Sequence, residues 1–254
     1  IPVVCMQTIA ANLGSMLTPI GNPQNLYLYG KSGMSIGGFV FLMLPYTLVS
    51  LFLLLAWAAM VCRKASAALS VDELVSSSAS QGDQRIILLY LVLFAVCLLS
   101  VIRVLPYGIA FAAALVCVLF ADPHTLRAVD YSLLLTFVAF FIFIGNLGRI
   151  PAFSGWLQEF LTGREVLVAV LASQVTSNVP AALLLSGFTA ETQALIIGTN
   201  LGGLGTLIAS MASLISYRQI ARELPQGKKQ YFGLFTLSNL IFLAILLGVW
   251  FLLR

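Results

Sequence analysis

The stretch "ANLGSMLTPIGNPQNLYLYG", residues 11–30, is the most informative part of the sequence about the fold. The absence of charge is compatible with a membrane, but the composition is not that of a continuous membrane helix. The stretch has no charged side chain, but it holds two prolines, three glycines and three asparagines. Irregular backbone at membrane depth occurs only where protein buries it or where it lines a water-filled cavity. We therefore predict that residues 11–25 form a broken helix whose free backbone groups face a cavity.

The composition of the whole chain predicts an all-α polytopic membrane protein. Of 254 residues, 60% are hydrophobic and only 9% are charged, whereas about 25% are charged in a typical soluble domain. A helix needs about 17–25 apolar residues to cross a bilayer core, and most uncharged runs of the chain have that length. These runs are 1–30, 32–62, 86–102, 104–121, 131–148, 166–190, 192–217 and 230–253.

The same composition limits the partners of the protein. The lipid bilayer is the expected partner, and the net charge of +4 needs no nucleic acid because Lys and Arg at loop ends reflect membrane orientation. The four cysteines are scattered without a C-x-x-C spacing, so neither a disulfide framework nor a metal site is expected.

An internal repeat links the opening stretch to a second one. Residues 11–29 align without gaps on residues 199–217, with seven identities in 19 positions at an offset of 188. Asn12 meets Asn200, and Gly14 meets Gly202. The alternative is chance similarity between two membrane segments rich in Gly and Leu. If the repeat is real, the element that precedes the first copy falls before residue 1, so the N-terminal part of the protein is expected to be missing.

Residues 166–187 contain a polar stretch, "SQVTSNVP", in the middle of an apolar run. Ser173, Thr176, Ser177 and Asn178 lie at its centre. One interpretation is a straight crossing helix kinked at Pro180, since proline is tolerated in membrane helices. The other is a re-entrant hairpin whose polar tip lies near the bilayer midplane. Such a tip would direct helix ends, hydroxyl groups and backbone carbonyls toward one point.

Paired interrupted segments in corresponding positions of two halves indicate the binding site of a transporter. Residues 11–25 and 198–213 are such a pair. Helix N-termini there attract anions, and unwound carbonyls coordinate sodium. We therefore expect both segments to converge on one cavity.

These residues resemble the ion transporter superfamily. "ANLGSMLTPIGNPQN", the pattern S-x-x-x-S-N and "GTNLGG" are similar to its motifs, and the resemblance covers nearly the whole chain. The superfamily includes divalent-anion:sodium symporters, citrate transporters, arsenite permeases and some sodium/proton antiporters. The resemblance implies an inverted repeat, in which each half has a hairpin with a Ser-Asn-Thr tip followed by a broken helix. Here Val179 and Pro180 replace the Thr, and "SMAS" replaces a Pro-rich loop, so a dicarboxylate substrate is not specified.

The resemblance also implies roles for individual residues. Ser173, Ser177 and Asn178 would help to form the second sodium site and the substrate site. Ala209 and Ser210 would supply the facing loop, with Gly21 and Asn22 as their counterparts in the first repeat, and Ala209 and Gly21 are candidate sodium ligands. No cofactor is expected, and sodium is a candidate coupling ion. The candidate substrate- and ion-binding residues are Asn12, Gly14, Thr18, Gly21, Asn22, Ser173, Thr176, Ser177, Asn178, Asn200, Gly202, Ala209 and Ser210.

The expected organisation has two repeats joined by a linker. Residues 1–62 form the end of the first repeat, residues 63–85 form a cytoplasmic linker, and residues 86–254 form the second repeat. The second repeat holds the hairpin 166–187, a broken helix 190–217 and a last helix 232–253. If residue 1 and the linker are cytoplasmic, eight positive side chains are cytoplasmic and five are outside. The positive-inside rule favours this orientation for a multi-pass protein of the inner membrane.

We therefore expect a secondary active transporter of a small inorganic or carboxylate anion, working by alternating access. No Asp or Glu falls at the predicted midplane, and intramembrane acids are the usual proton carriers. The neutral Ser, Asn and backbone ligands suit either sodium or a site with no coupling ion at all. Sodium/proton antiport is the alternative. An intramembrane enzyme would need a base near Ser177, and the single histidine, His124, lies in a predicted loop. A homodimer is compatible with the resemblance.

Overall fold

The computed structural model describes residues 1–64 and 83–254. Within them, α-helices are joined by turns, short 3-10 segments and irregular backbone, and no strand occurs. This confirms the all-α prediction. The α-helices are α1 (Pro2–Gly14), α2 (Pro23–Lys31), α3 (Ile36–Lys64), α4 (Gln84–Val101), α5 (Tyr107–Ala121), α6 (Pro123–Arg127), α7 (Tyr131–Leu147), α8 (Pro151–Leu161), α9 (Glu165–Thr176), α10 (Asn178–Leu185), α11 (Thr192–Leu201), α12 (Met211–Glu223) and α13 (Lys228–Leu253).

The longest helices expose apolar side chains, as helices do when lipid surrounds them. Phe41 and Phe52 of α3 are 77% and 71% exposed. Among the described residues, three segments are long and apolar enough to cross a membrane, and a bent pair would make a fourth if it counts as one span. The three segments are Ile36–Arg63, Gln84–Val101 and Pro225–Leu253, and the pair is Leu134–Leu147 with Pro151–Leu161. The protein is a polytopic membrane protein.

The contacts divide the chain into two units. One unit consists of Ile1–Lys64 and Thr136–Arg254, and it contains every candidate site residue. The other is Ala65–Leu135, of which residues 83–135 are described. The predicted linker, 63–85, lies mostly outside the described residues. The predicted repeats are units of sequence similarity rather than of contact, and their boundaries stay a prediction.

In the smaller unit, the Asp122 side chain links α4 to α6. The Asp122 side chain accepts a hydrogen bond from the N–H of Thr125 at the start of α6, and the Tyr90 hydroxyl of α4 donates to it at 3.0 Å. Hydrogen bonds from Thr125 and Tyr90 lower the pKa of Asp122 because they stabilise the carboxylate. The predicted loop around His124 thus contains a short helix.

The polar stretch in residues 166–187 separates two helices, α9 and α10, which meet at Ser177. Both helices contact α11, and they contact each other. A single straight helix over these residues is therefore wrong, and the structure has a helical hairpin. The predicted broken helix 190–217 is also longer than expected, since α12 continues to Glu223. It ends before Pro225, and the residue preceding a proline is disfavoured in helical backbone.

Candidate functional site

Two breaks interrupt the helices of the larger unit, one between α1 and α2 and one between α11 and α12. In each break a threonine has extended backbone, Thr18 in the first and Thr206 in the second. The carbonyl of Thr18 accepts a hydrogen bond from the N–H of Gly21 at 3.2 Å, and that of Thr206 accepts one from Ala209 at 3.2 Å. The 188-residue shift maps the first pair onto the second, so the two breaks contain the same kind of turn.

The helix that follows each break begins with a side-chain cap. The Asn22 side chain accepts a hydrogen bond from the N–H of Asn25 at 2.9 Å, and that of Ser210 accepts one from Ser213 at 3.2 Å. Short polar side chains of this kind cap helices well because they reach the free amides of the first turn. The shift of 188 again relates the two pairs, so α2 and α12 start alike.

The two breaks contact each other through these caps. The Asn12 Nδ2 atom, near the end of α1, donates to the Ser210 hydroxyl at 3.0 Å. The Asn22 Nδ2 atom donates to the Asn200 Oδ1 atom, near the end of α11, at 3.1 Å. The shift maps Asn12 onto Asn200 and Asn22 onto Ser210. In each repeat, the end of the helix before the break, α1 or α11, therefore contacts the residue that caps the helix after the break in the other repeat.

A second pair of contacts is reciprocal in the same way. The Asn200 Nδ2 atom donates to the Asn25 Oδ1 atom at 2.6 Å, and the Asn12 Nδ2 atom lies 3.5 Å from the Ser213 hydroxyl. The shift maps Asn25 onto Ser213. The contact of Asn200 with Asn25 thus has an equivalent in the contact of Asn12 with Ser213. A two-fold axis generates such reciprocal pairs of contacts. We call Asn12, Asn22, Asn25, Asn200, Ser210 and Ser213 the crossing cluster.

The turn of the hairpin lies against the second break. Ser177 has a φ of 75°, a value that is uncommon for residues other than glycine and that concentrates at functional sites. Its hydroxyl donates to the Ala209 carbonyl in a long hydrogen bond of 3.4 Å. Asn178 is the first residue of α10. We call Ser177 and Asn178 the hairpin tip.

Two glycines let the hairpin approach α11 closely. A Cβ atom on Gly202 would lie 2.6 Å from the Ser173 hydroxyl, and one on Gly203 would lie 2.9 Å from the Asn178 Nδ2 atom. The Asn12 Nδ2 atom also lies 3.5 Å from the Gly203 carbonyl. The hairpin tip and the crossing cluster therefore meet at Gly203.

Asn178 has an unused side-chain amide. The residue is only 7% exposed, and its side chain makes no hydrogen bond to any described residue. The amide is not among the described side-chain groups that are fully enclosed without a partner, so it can be reached from the site. It can donate to or accept from a ligand, and its oxygen can bind a cation.

The far end of α10 is held by the first broken helix. The Lys31 ammonium group donates to the Ser186 carbonyl, and the hydroxyls of Tyr27 and Ser186 lie 2.9 Å apart. A cation at a helix C-terminus is favourable because it opposes the negative end of the helix dipole. These contacts hold the C-terminal end of α10, whereas its N-terminal end lies at the hairpin tip.

The charge of the site comes from backbone rather than from ionised side chains. The crossing cluster and the hairpin tip contain only amides and hydroxyls, and α2, α10 and α12 all begin at this place. Helix N-termini carry a partial positive charge and free N–H groups that bind anions. Backbone carbonyls in the breaks have two lone pairs each, so they supply neutral oxygen ligands of the kind that suit sodium. The described residues thus contain groups for both signs of charge.

Not every predicted residue joins this arrangement. Thr176 is exposed and its hydroxyl donates to the Ala172 carbonyl of its own helix at 2.9 Å. Gly14 is exposed, and a Cβ atom there would have no neighbour within 4 Å. Gly21 has a backbone role, because a Cβ atom there would lie 1.8 Å from the Ser15 carbonyl oxygen. Ser173 donates to the Ala169 carbonyl within α9.

Sequence reasoning missed three residues that take part. Asn25 and Ser213 belong to the crossing cluster, and Gln174 bonds to the second break. Asn25 and Ser213 had a usable signal, since they lie three residues after the candidate site residues Asn22 and Ser210 in the aligned repeats. Gln174 had a weaker one, as the only glutamine of the polar stretch in the hairpin.

Comparison with known proteins places the chain in a family. A family model described as "Citrate transporter" matches residues 1–194. The inner membrane protein YbiR of Escherichia coli (strain K12) is 34% identical over 222 residues, which are 85% of this chain and 58% of YbiR. MJ0456 of Methanocaldococcus jannaschii, described as an uncharacterized transporter, is 32% identical over 216 residues, 85% of this chain and 57% of that protein.

No solved structure matches the chain. The chain spans somewhat more than half the length of these two relatives. The family match covers well over half of the chain, and it confirms the resemblance to the ion transporter superfamily, which includes citrate transporters. The chain belongs to the citrate transporter family.

Proposed function

We propose that the chain is part of a secondary transporter of the inner membrane and not of an enzyme. The transporter carries a small inorganic or carboxylate anion by alternating access, with sodium as the coupling ion. Membership in the citrate transporter family and the relatives named as an inner membrane protein and a transporter support transport. The anion, the sodium and the mechanism are our inference from the site.

The observation that carries the proposal is the position of the unpaired Asn178 amide beside two breaks. Asn178 lies next to Gly203, within reach of the crossing cluster, and three helices begin there. Sodium would bind carbonyl, amide and hydroxyl oxygens near Ser177 and Ala209. The anion would bind the free N–H groups at the N-termini of α10 and α12, so that each ion neutralises the other in a site without ionised side chains.

The same geometry supports our proposal of alternating access. A broken helix ends twice inside the protein, so the two halves on either side of a break can tilt without unfolding a continuous helix. The reciprocal contacts of the crossing cluster relate the two breaks by an approximate two-fold. A site between two related halves can open toward either side when one half moves against the other.

The test is uptake of radiolabelled citrate, succinate and sulfate into proteoliposomes that contain the full-length protein, with sodium or choline outside. We expect sodium to stimulate uptake of at least one anion. Asn178→Ala is expected to raise the half-saturation for sodium or for the anion by at least tenfold, with folded protein still present in the membrane. Asn146→Ala is the matched control, since Asn146 is an exposed asparagine that bonds only to the Ile142 carbonyl of its own helix.

Unchanged half-saturation constants in Asn178→Ala would refute the role of this amide. Proton movement that a sodium gradient drives without uptake of any of the three anions, followed with an internal pH dye, would favour the alternative, sodium/proton antiport.

A further inference from the structure

The side-chain amide of Gln174 is inserted into the second break. Its Nε2 atom donates to the carbonyls of Gly202 at 3.0 Å and Leu204 at 2.9 Å. Its Oε1 atom accepts from the N–H of Thr206 at 2.9 Å. The Thr206 hydroxyl in turn donates to the Gln174 carbonyl at 3.1 Å. One residue of α9 thus makes four hydrogen bonds to the segment between α11 and α12.

These bonds give partners to backbone carbonyls beyond the helix end. The carbonyls of Gly202 and Leu204 lie one and three residues after the end of α11, where the helix no longer supplies N–H donors to them. Gly205 allows the amide to enter. Its φ of 106° disfavours other residues, and a Cβ atom there would lie 2.3 Å from the Gln174 Oε1 atom.

The first break is held differently. The Asn25 Nδ2 atom lies 3.3 Å from the carbonyls of both Met16 and Thr18. The 188-residue shift maps Met16 onto Leu204 and Asn25 onto Ser213. Ser213 bonds to its neighbour Ser210 instead. The side-chain amide that donates to the Leu204 carbonyl therefore comes from another element, α9. In each break, one carboxamide therefore bonds two backbone carbonyls, that of Asn25 from α2 in the first repeat and that of Gln174 from the hairpin in the second.

We propose that Gln174 is a positioning residue that ties the hairpin to the second break, so that α9 and residues 202–210 move as one body. The first break lacks this tie, because its carboxamide belongs to the helix that follows it. Ala209 and Ser210 would keep their distance from the hairpin tip when the hairpin moves, whereas the first broken helix is bonded to the far end of the hairpin, through Lys31 and Tyr27 at Ser186.

Amide hydrogen exchange on the full-length protein tests the tie without reference to transport. Gln174→Met keeps the volume of the side chain and removes its polar groups. We expect exchange over residues 202–210 to become at least tenfold faster, with residues 15–22 unchanged. Asn25→Leu is the matched variant, and we expect it to have the opposite pattern. The proposal fails if Gln174→Met leaves residues 202–210 protected, or if it loosens both breaks equally.

Gln174→Glu keeps the test decisive where an apolar variant does not fold. A carboxylate at this position would face the carbonyls of Val170, Gly202 and Leu204, all of them acceptors, and the Thr206 amide; none of these groups titrates. The protonated acid has one O–H donor and can restore one of the lost bonds. We therefore expect the protection factor over residues 202–210 to rise as the pH falls in Gln174→Glu and to stay constant in the unmodified protein. A constant protection factor in both proteins would overturn the proposal.

The consequence for transport rests on the proposed function, with citrate as the probe. In proteoliposomes, Gln174→Met is expected to raise the half-saturation for citrate at least tenfold per folded molecule, because Ala209 and Ser210 lose their fixed place. A residue with only a structural role would lower the amount of folded protein and leave the half-saturation unchanged. That result, together with fast exchange over 202–210, would overturn the positioning role. Absence of citrate uptake in the unmodified protein would instead reject citrate as substrate, and the exchange arm would still decide the tie.

Discussion

At the scale of single residues, Asn22 combines two functions in one side chain. Its Oδ1 atom caps α2, and its Nδ2 atom donates across the crossing cluster to Asn200. Ser210, the equivalent in the second repeat, also caps a helix and accepts from Asn12. The cap and the crossing contact are therefore separable by substitution.

Asn22→Ser is expected to keep the cap and lose the bond to Asn200, whereas Asn22→Ala loses both. Loss of a cap costs about 0.5–2 kcal/mol, and the Asn200 oxygen left without a donor adds about 1–3 kcal/mol in both variants. Thermal unfolding in detergent should therefore rank the native protein first, Asn22→Ser second and Asn22→Ala last. Equal stability of the two variants would show that Asn22 does not cap α2.

At the scale of helices, close packing of α9 on α11 depends on small residues. A Cβ atom on Gly198 would lie 2.7 Å from the Ala169 Cβ atom and 2.7 Å from the Val166 carbonyl oxygen. The second contact is to backbone, so a rotamer change cannot relieve it. The glycine thereby sets the distance at which the hairpin and the second broken helix approach each other.

Gly198→Ala is expected to destabilise the protein by about 1–3 kcal/mol, because overpacking forces neighbouring backbone to shift. Gly233→Ala in α13 is the matched control, since a Cβ atom there would have no neighbour within 4 Å. It should be neutral or slightly stabilising. Unfolding of both variants in the same detergent checks the prediction, and equal effects would contradict it.

The breaks could be predicted from sequence because Pro, Gly and Asn interrupt apolar runs at Thr18–Asn22 and in the hairpin. The partners of the breaks could not. The alignment of Asn12 with Asn200 states that the two residues are equivalent, and equivalence does not say which residue each of them touches. The role of Gln174 could not be predicted for another reason. It depends on backbone carbonyls of a segment 28 or more residues away in sequence. The prediction of Thr176 as a site residue rests only on its closeness in sequence to Asn178, and its side chain bonds within its own helix instead.

At the scale of the whole molecule, the proposed coupling to sodium gives a prediction that separates it from proton antiport. The crossing cluster and the hairpin tip contain no group that titrates near neutral pH. A protonophore should therefore leave the initial rate of sodium-driven anion uptake into proteoliposomes unchanged when potassium and valinomycin clamp the voltage. A sodium ionophore should abolish it. Inhibition by the protonophore under the clamp would contradict sodium coupling.

The lack of ionised side chains in the crossing cluster and the hairpin tip has an electrical consequence. Moving one elementary charge across a membrane at 100 mV changes the free energy by about 2.3 kcal/mol. In the proposed cycle these residues carry no net charge, so the return of the empty carrier would be insensitive to voltage, and the loaded step would feel only the summed charge of anion and sodium. The current per turnover would then equal that sum, and the reversal potential measured in proteoliposomes would give the number of sodium ions that accompany each anion.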